Sequence, residues 1–217
     1  MSINLIVGGV KIIDKHVSNA FKYGIGYKNG LPWGHLREDM KLFRDFTLGK
    51  YDIPLSKEPN EYNKQEHNTV VIMGRKTMES IPNNMLPKRD NIVISRTTNN
   101  IFETKESGHL YLNKLREKYT QIWVIGGSQI YNLFLTDYID LVDNIVLNEL
   151  HLRENMKDNI EFDTYFPRIY DINYNKMLRT CQTYKKLKSF SNIIDVKDNE
   201  YIEKIESNVY SRNFTLK

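Results

Sequence analysis

Three groups of residues have types and spacings that could do chemistry. Gly126-Gly127 stand directly after the apolar run Gln121 to Ile125 and just before Ser128, so a phosphate could approach the backbone there with no Cβ in its way. Arg75, Lys76 and Thr77 follow Gly74 at the end of a second apolar run, Thr69 to Met73, and supply two cations and a hydroxyl. Ser95-Arg96 end a third run, Asn91 to Ser95. Anion-binding groups in two or three places describe a dinucleotide, and the surplus of Arg and Lys favours one carrying a ribose 2′-phosphate. Asp39 is the remaining candidate, a carboxylate at the start of an amphipathic segment with Trp33 close by in sequence. A partly buried Asp has its pKa raised by desolvation and can then pair with a cationic or hydrogen-bonding heterocycle. Each piece also has a plainer reading: a tight turn for Gly-Gly, a solvated helix face for Arg-Lys, and for Asp39 a helix-start acid that complements the dipole.

These residues must be positioned by the elements around them. Ile3 to Val10 is a short, nearly continuous apolar run rich in β-branched residues and reads as a central strand. Lys11 to Gly34 contains Gly24, Gly26, Gly30 and Pro32, which predicts a long surface loop of the kind that serves as a binding lid. Its Gly24, Gly26 and Gly30 do not make a Rossmann fingerprint, because the third glycine falls one position late and Leu31-Pro32-Trp33 follows instead of a helix. From Leu36 the residues Leu36, Met40, Phe43 and Leu48, with Phe46 beside them, predict a helix that carries Asp39 near its first turn. Tyr51 to Asn68 is polar, holds two prolines and reads as an exposed insertion.

Thr69 to Met73, Asn91 to Ser95 and Gln121 to Ile125 are further apolar strands, two of them followed by glycine and then a helical segment. That alternation predicts an α/β fold with a mostly parallel sheet of about eight strands. Val142 to Leu150 is another strand, and alternating tyrosine-rich segments beyond Pro167 predict an antiparallel hairpin. No linker divides the chain, so the expectation is one domain over residues 1–217 with a surface insertion near 51–68.

Composition excludes several classes. The 217 residues carry 31 Lys+Arg against 27 Asp+Glu, a mild net charge of +4 that is weak support for nucleic acid and fits a small polyanionic ligand as well. With a mean hydropathy of −0.55, no stretch long enough for a membrane span and no targeting signal, a cytoplasmic protein is expected. Cys181 stands alone, so no intrachain disulfide is available and a reducing compartment fits. His16, His35, His67, His109 and His151 are dispersed, which leaves no metal motif. A serine nucleophile elbow is absent as well.

In order along residues 3 to 167, the motifs resemble the dihydrofolate reductase family. Gly24-Ile25-Gly26 through Asn29-Gly30-Leu31-Pro32-Trp33 resembles its mobile loop, and Leu36-Arg37-Glu38-Asp39-Met40 with Phe43 its acidic helix. Val71 to Thr77 with Ser80-Ile81-Pro82 is similar to its cofactor-phosphate motif, and Leu86 to Arg89 with Asn91 to Arg96 to the next. Val124-Ile125-Gly126-Gly127 with Tyr131 matches the double-glycine motif, and Asp163-Thr164-Tyr165-Phe166-Pro167 its D-T-[FY]-F-P segment.

The resemblance implies a reductase that moves hydride from NADPH to dihydrofolate. It implies that Asp39 holds the pterin and favours protonation of its ring nitrogen, that Thr164 hydrogen-bonds that carboxylate, and that Leu31 and Trp33 belong to the catalytic set. Ile6, Val7, Met40, Phe43 and Arg44, with Ile81 and Leu86, would contact substrate. Arg89 would pair with the substrate's glutamate carboxylate. Cofactor contacts would come from Gly8, Ile25, Gly26, Gly30 and Leu31, from Gly74, Arg75, Lys76 and Thr77, from Ser95, Arg96 and Thr97, and from Gly126, Gly127, Ser128, Gln129, Ile130 and Tyr131. The chain departs from the pattern at Gly8-Gly9, Met78 and Lys88, none of which removes a reacting group. Its long insertions resemble forms fused to thymidylate synthase, and a free enzyme or one associated with a separate synthase both remain open. Two other readings stand beside this one: a related NADPH reductase acting on another heterocycle, and a nucleotide- or nucleic-acid-binding module without catalysis.

Overall fold

The computed structural model describes residues 1–13, 21–55, 68–95, 102–167 and 184–212, and these fall into two compact units. The first comprises Met1–Leu5 with the described residues of Phe43–Ile145, and the second Ile6–Leu42 with the described residues from Val146 onward.

In the first unit the strands lie in the order β4 (Asp90–Ile94), β3 (Thr69–Gly74), β5 (Gln121–Val124) and the start of β1 (Ser2–Ile13). All three pairings are parallel, with Met73 opposite Val93, Val71 opposite Trp123 and Ser2 opposite Gln121. The near-continuous apolar runs are explained by this arrangement: Val70, Val71, Ile72 and Met73 are all buried, as are Ile122, Trp123 and Val124. Helices α2 (Arg75–Ser80), α3 (Lys105–Lys118) and α4 (Ser128–Thr136) belong to this unit, and Leu112, Leu115, Ile130, Phe134 and Leu135 supply its helical core. The sequence pattern predicts no element at 105–118. A capping box starts α3, where Thr104 Oγ1 accepts from the Ser107 amide at 3.1 Å and Ser107 Oγ accepts from the Thr104 amide at 3.3 Å. Asp143, buried, accepts from the Ile3 amide at 2.8 Å and pairs with Arg116 at 2.9 Å, so this charge is compensated on two sides.

In the second unit β6 (Asn144–Leu152) neighbours β1, and β9 (Ile202–Arg212) and β8 (Tyr184–Asp195) follow. β8 and β9 form the expected antiparallel hairpin, from Tyr184 opposite Arg212 to Asp195 opposite Lys204. The described residues thus form nine strands, in line with the α/β sheet and C-terminal hairpin that the sequence predicts.

The expectation of a long loop over Lys11 to Gly34 is corrected. β1 runs on to Ile13, and Phe21–Gly26 form β2, antiparallel to β1 (Val10 opposite Gly24) and to β7, Thr164–Phe166 (Tyr23 opposite Phe166). Gly24 is paired on both edges, with Val10 and with Tyr165, and Gly26 is paired with Thr164 of β7, which outweighs their turn preference. Residues 14–20 lie outside the described residues, as do Cys181 and the 56–67 portion of the expected insertion.

Helix α1 (Arg37–Thr47) starts as predicted, but its most buried side chains are Leu42 and Phe46 after Leu36, while Met40 and Phe43 are half-buried. The segment leading into α1 is held by Asn199, between β8 and β9. Its Nδ2 donates to the carbonyls of Trp33 (3.0 Å) and His35 (3.4 Å), and its Oδ1 accepts from the amides of Tyr201 and Ile202. Asn199→Ala should therefore cost about 1–2 kcal/mol of unfolding free energy in denaturant titrations, because it orphans several half-buried backbone groups. No helix among the described residues is long and apolar enough to cross a membrane.

Candidate active site

In the second unit the site is built around Asp39, in the first turn of α1 and 6% exposed. Its Oδ1 accepts a hydrogen bond of 2.9 Å from Nδ2 of Asn148, on β6. Its Oδ2 lies so close to β1 that a Cβ on Gly8 would sit 3.1 Å from it, so glycine at this position lets the strand backbone run beside the acid. Burial pushes the Asp39 carboxyl up to about 6, against the opposing pull of the Asn148 hydrogen bond. Among the described residues no cation contributes. A buried carboxylate held by one neutral amide is costly to stability, and such a cost marks a candidate functional site.

The expected pairing of Thr164 with Asp39 is corrected: Thr164 Oγ1 donates to Asp163 Oδ1 at 2.7 Å, and Asn148 holds the acid. Asp163 in turn accepts from the Lys28 amide at 2.8 Å, while its own amide donates to the Gly26 carbonyl at 3.1 Å. This fixes a tight turn in which Tyr27 and Gly30 exchange backbone hydrogen bonds of 3.0 and 2.9 Å, with Lys28 and Asn29 at φ of 49° and 63°. The lid expected here is, in its described part, a strand and an anchored turn. Gly26 stands opposite Thr164 and Ile25 is half-buried beside them; Gly30 and Leu31 are exposed. Trp33 is buried, and its indole N–H finds no acceptor among the described residues, so this donor is suited to a ligand or an ordered water. Ile6 and Val7, on β1, are buried.

Asn148 could have been found from sequence. With Asn144 it is one of two amides in the otherwise apolar start of β6, Asn144-Ile145-Val146-Leu147-Asn148, where a buried polar side chain needs a partner.

In the first unit the double glycine has the geometry of an anion cradle. The Gly126 carbonyl accepts from the Gly74 amide at 2.8 Å, Gly126 adopts φ 102°, and Gly127 is the N-cap of α4 with no side-chain cap. The first amides of α4, those of Ser128 and Gln129, are thus uncapped by side chains. Ile130 packs where a Cβ on Gly74 would lie, and Tyr131 where one on Gly126 would lie; Thr77 Oγ1 would be 3.5 Å from one on Gly127. Arg75 is exposed and pairs with Glu79 at 2.7 Å, and Lys76 is exposed on the same short helix. Ser95 is half-buried; Arg96 and Thr97 lie outside the described residues.

Arg89 donates through Nε to the Pro87 carbonyl at 3.0 Å and through Nη1 to Thr47 Oγ1. Burial, and then the nearby Arg44, lower its pKa, an electrostatic strain that an incoming carboxylate would relieve. Ile81 and Leu86 are half-buried near this arginine in sequence, and the Leu86 amide is fixed by Asn91 Oδ1 at 2.9 Å.

Comparison with known proteins gives a consistent result. Residues 52–197 match the family model described as dihydrofolate reductase, a match that does not include Asp39. Among curated relatives, "Dihydrofolate reductase" of Candida albicans is 31% identical over 150 residues, covering 65% of this chain and 68% of the relative. The one from Saccharomyces cerevisiae is 38% identical over 123 residues, covering 50% of this chain and 52% of the relative. That of Buchnera aphidicola subsp. Acyrthosiphon pisum is 32% identical over 174 residues, covering 77% of this chain and 86% of the relative.

Proposed function

This chain belongs to the dihydrofolate reductase family, and on that premise we propose that it reduces 7,8-dihydrofolate to 5,6,7,8-tetrahydrofolate with NADPH. The observation that carries the residue assignment is Asp39, a buried carboxylate whose only described hydrogen-bond donor is a neutral amide. The reaction adds a hydride to a ring carbon and a proton to the adjacent ring nitrogen. When bound, NADPH supplies the hydride.

Asp39 orients and polarises the substrate. An ionised carboxylate offers about four acceptor positions, of which Asn148 occupies one on Oδ1. The others can accept from the 2-amino group and the ring N–H of a pterin, and the negative charge then favours protonation of the heterocycle at the nitrogen beside the acceptor carbon. The buried Trp33 N–H offers a donor for substrate or for the water that delivers the proton. Arg89 is assigned to the substrate's glutamate carboxylate, supported by its half-buried guanidinium and the neighbouring Arg44.

The residues also fit NADPH. The Gly126-Gly127 turn and the uncapped amides of α4 suit a phosphate, and Arg75, Lys76 and Thr77 suit the second phosphate group. Chain-level organisation is part of the same reading: one reductase domain over 1–217, supported by a family match that runs through the sequence of both units. A cytoplasmic site of action, with association to thymidylate synthase as the consumer of reduced folate, is supported by the lone cysteine and the long insertions.

The test is NADPH oxidation by the purified protein with dihydrofolate, followed by absorbance, with and without methotrexate. Methotrexate-sensitive oxidation is expected. Binding of NADPH with no response to dihydrofolate would overturn the substrate and leave the cofactor.

A further inference from the structure

The amide that holds Asp39 is itself held. Asn148 Oδ1 accepts a 2.7 Å hydrogen bond from Ser207 Oγ, on β9, and Asn148 Nδ2 donates at 2.9 Å to Asp39. All three side chains are buried, with Asn148 1% and Ser207 0% exposed. A carboxamide has two chemically opposite ends of nearly equal shape, so its shape alone does not decide which end meets the acid. The ionised carboxylate, an acceptor only, selects Nδ2, and the Ser207 hydroxyl, donating to Oδ1, holds the amide in that orientation. The reversed amide would set Oδ1 against Oδ1 of Asp39, acceptor against anion, in a buried setting where that repulsion is strong.

Resting on the reductase reading above, we propose that Ser207, two hydrogen bonds away from the acid and on the C-terminal hairpin, is a positioning residue for the reaction, because its hydroxyl anchors the Asn148 amide that donates to Asp39. In a chain of this kind each bond polarises the next, so donation from Ser207 strengthens the Asn148 N–H as a donor and stabilises ionised Asp39.

The charged groups nearby do not share this role. On the alternate residues of the same strands, Glu149 accepts from the Tyr23 hydroxyl, and Glu206 pairs with Lys186 and lies beside His151, which places them on the opposite face from Asn148 and Ser207. On α1 itself Arg37 is exposed and Glu38 half-buried, while β1 presents the backbone of Gly8. Among the described residues, Asp39 is set by burial, which raises its pKa, and by the Asn148 hydrogen bond, which lowers it.

The experiment titrates Asp39 directly, by the carbon-13 shift of its carboxyl in labelled protein, and in parallel records the pH profile of kcat/KM. In Ser207→Ala both midpoints should move upward by about 0.5 to 1 unit, since the ionised form loses its oriented donor. Ser207→Thr, which keeps the hydroxyl, should bring them back. In an Asn148→Leu background, Ser207→Ala should move nothing further. A Ser207→Ala protein that melts lower yet titrates Asp39 as the wild type does would reduce Ser207 to a packing role and overturn the proposal. An equal shift from Ser207→Ala with and without Asn148 would overturn it too. Failure of the reductase reading is seen separately, as a wild-type protein that does not oxidise NADPH with dihydrofolate; the carboxyl titration does not depend on turnover.

Discussion

Asp39→Asn is expected to melt at a higher temperature than the wild type at pH 7 while reducing dihydrofolate about 10² to 10⁴ times more slowly, the usual weight of a positioned acid–base group. The two effects have one cause. Burial pushes Asp39 up from an ordinary 3.8 to about 6, so the folded chain binds its proton more tightly than the unfolded chain does. Between about pH 4 and pH 6 the folded state therefore holds more protons, and stability falls as pH rises through that window, then levels off above it. Asparagine carries no charge at any of these pH values and escapes the decline. At pH 7 the difference amounts to about 3 kcal/mol from a shift of this size, reduced by whatever the new amide loses as it faces the Asn148 donor. Melting curves at pH 4, 5, 6 and 7 check the sign: the gap between variant and wild type should be small at pH 4 and open toward pH 7. A gap independent of pH would mean that Asp39 is not a buried, titrating carboxylate, and full activity in the variant would remove Asp39 from the chemistry.

The same residue shows what the sequence makes legible and what it hides. Asp39 could be placed because a helix has a regular period: Leu36, Met40, Phe43 and Leu48 locate the helix with an acid in its first turn, although Met40 and Phe43 are only half-buried and Leu42 and Phe46 carry more of the buried stripe. The parallel strands were legible for a similar reason, since strands buried on both faces read as unbroken apolar runs. Asn148 and Ser207 lie 109 and 168 residues beyond Asp39 in the numbering of the chain, and no local period reports a contact made through sheet pairing. The D-T-[FY]-F-P motif points to Thr164, yet its hydroxyl donates to the adjacent Asp163. β2 was hidden for the opposite reason. Gly24 and Gly26 are strong turn signals locally, and only sheet pairing holds them extended, Gly24 to β1 on one side and β7 on the other and Gly26 to β7.

Gly126→Ala is expected to weaken NADPH binding by about 10- to 100-fold and to lower stability by about 2–4 kcal/mol, by backbone strain and overpacking. At φ 102° Gly126 occupies backbone space that residues with a Cβ rarely adopt. The added carbon would also meet the Tyr131 ring at 2.8 Å, inside any normal contact distance, with Tyr131 itself buried on α4. The chain then has two ways to respond: turn the Gly126 backbone, or displace Tyr131 and with it the first turn of α4. Either movement disturbs the Gly74 amide bond to the Gly126 carbonyl and the uncapped amides assigned to a phosphate, so cofactor affinity falls with stability. A second substitution separates the two causes. Tyr131→Leu in the Gly126→Ala protein removes the ring contact and leaves the backbone strain, so it should recover part of the melting temperature and little of the NADPH affinity. Fluorescence titration with NADPH measures the affinity, and binding of methotrexate alone measures whether the Asp39 pocket survives. Unchanged NADPH affinity in a folded Gly126→Ala protein would show that the double glycine serves the packing of α4 and does not hold the cofactor.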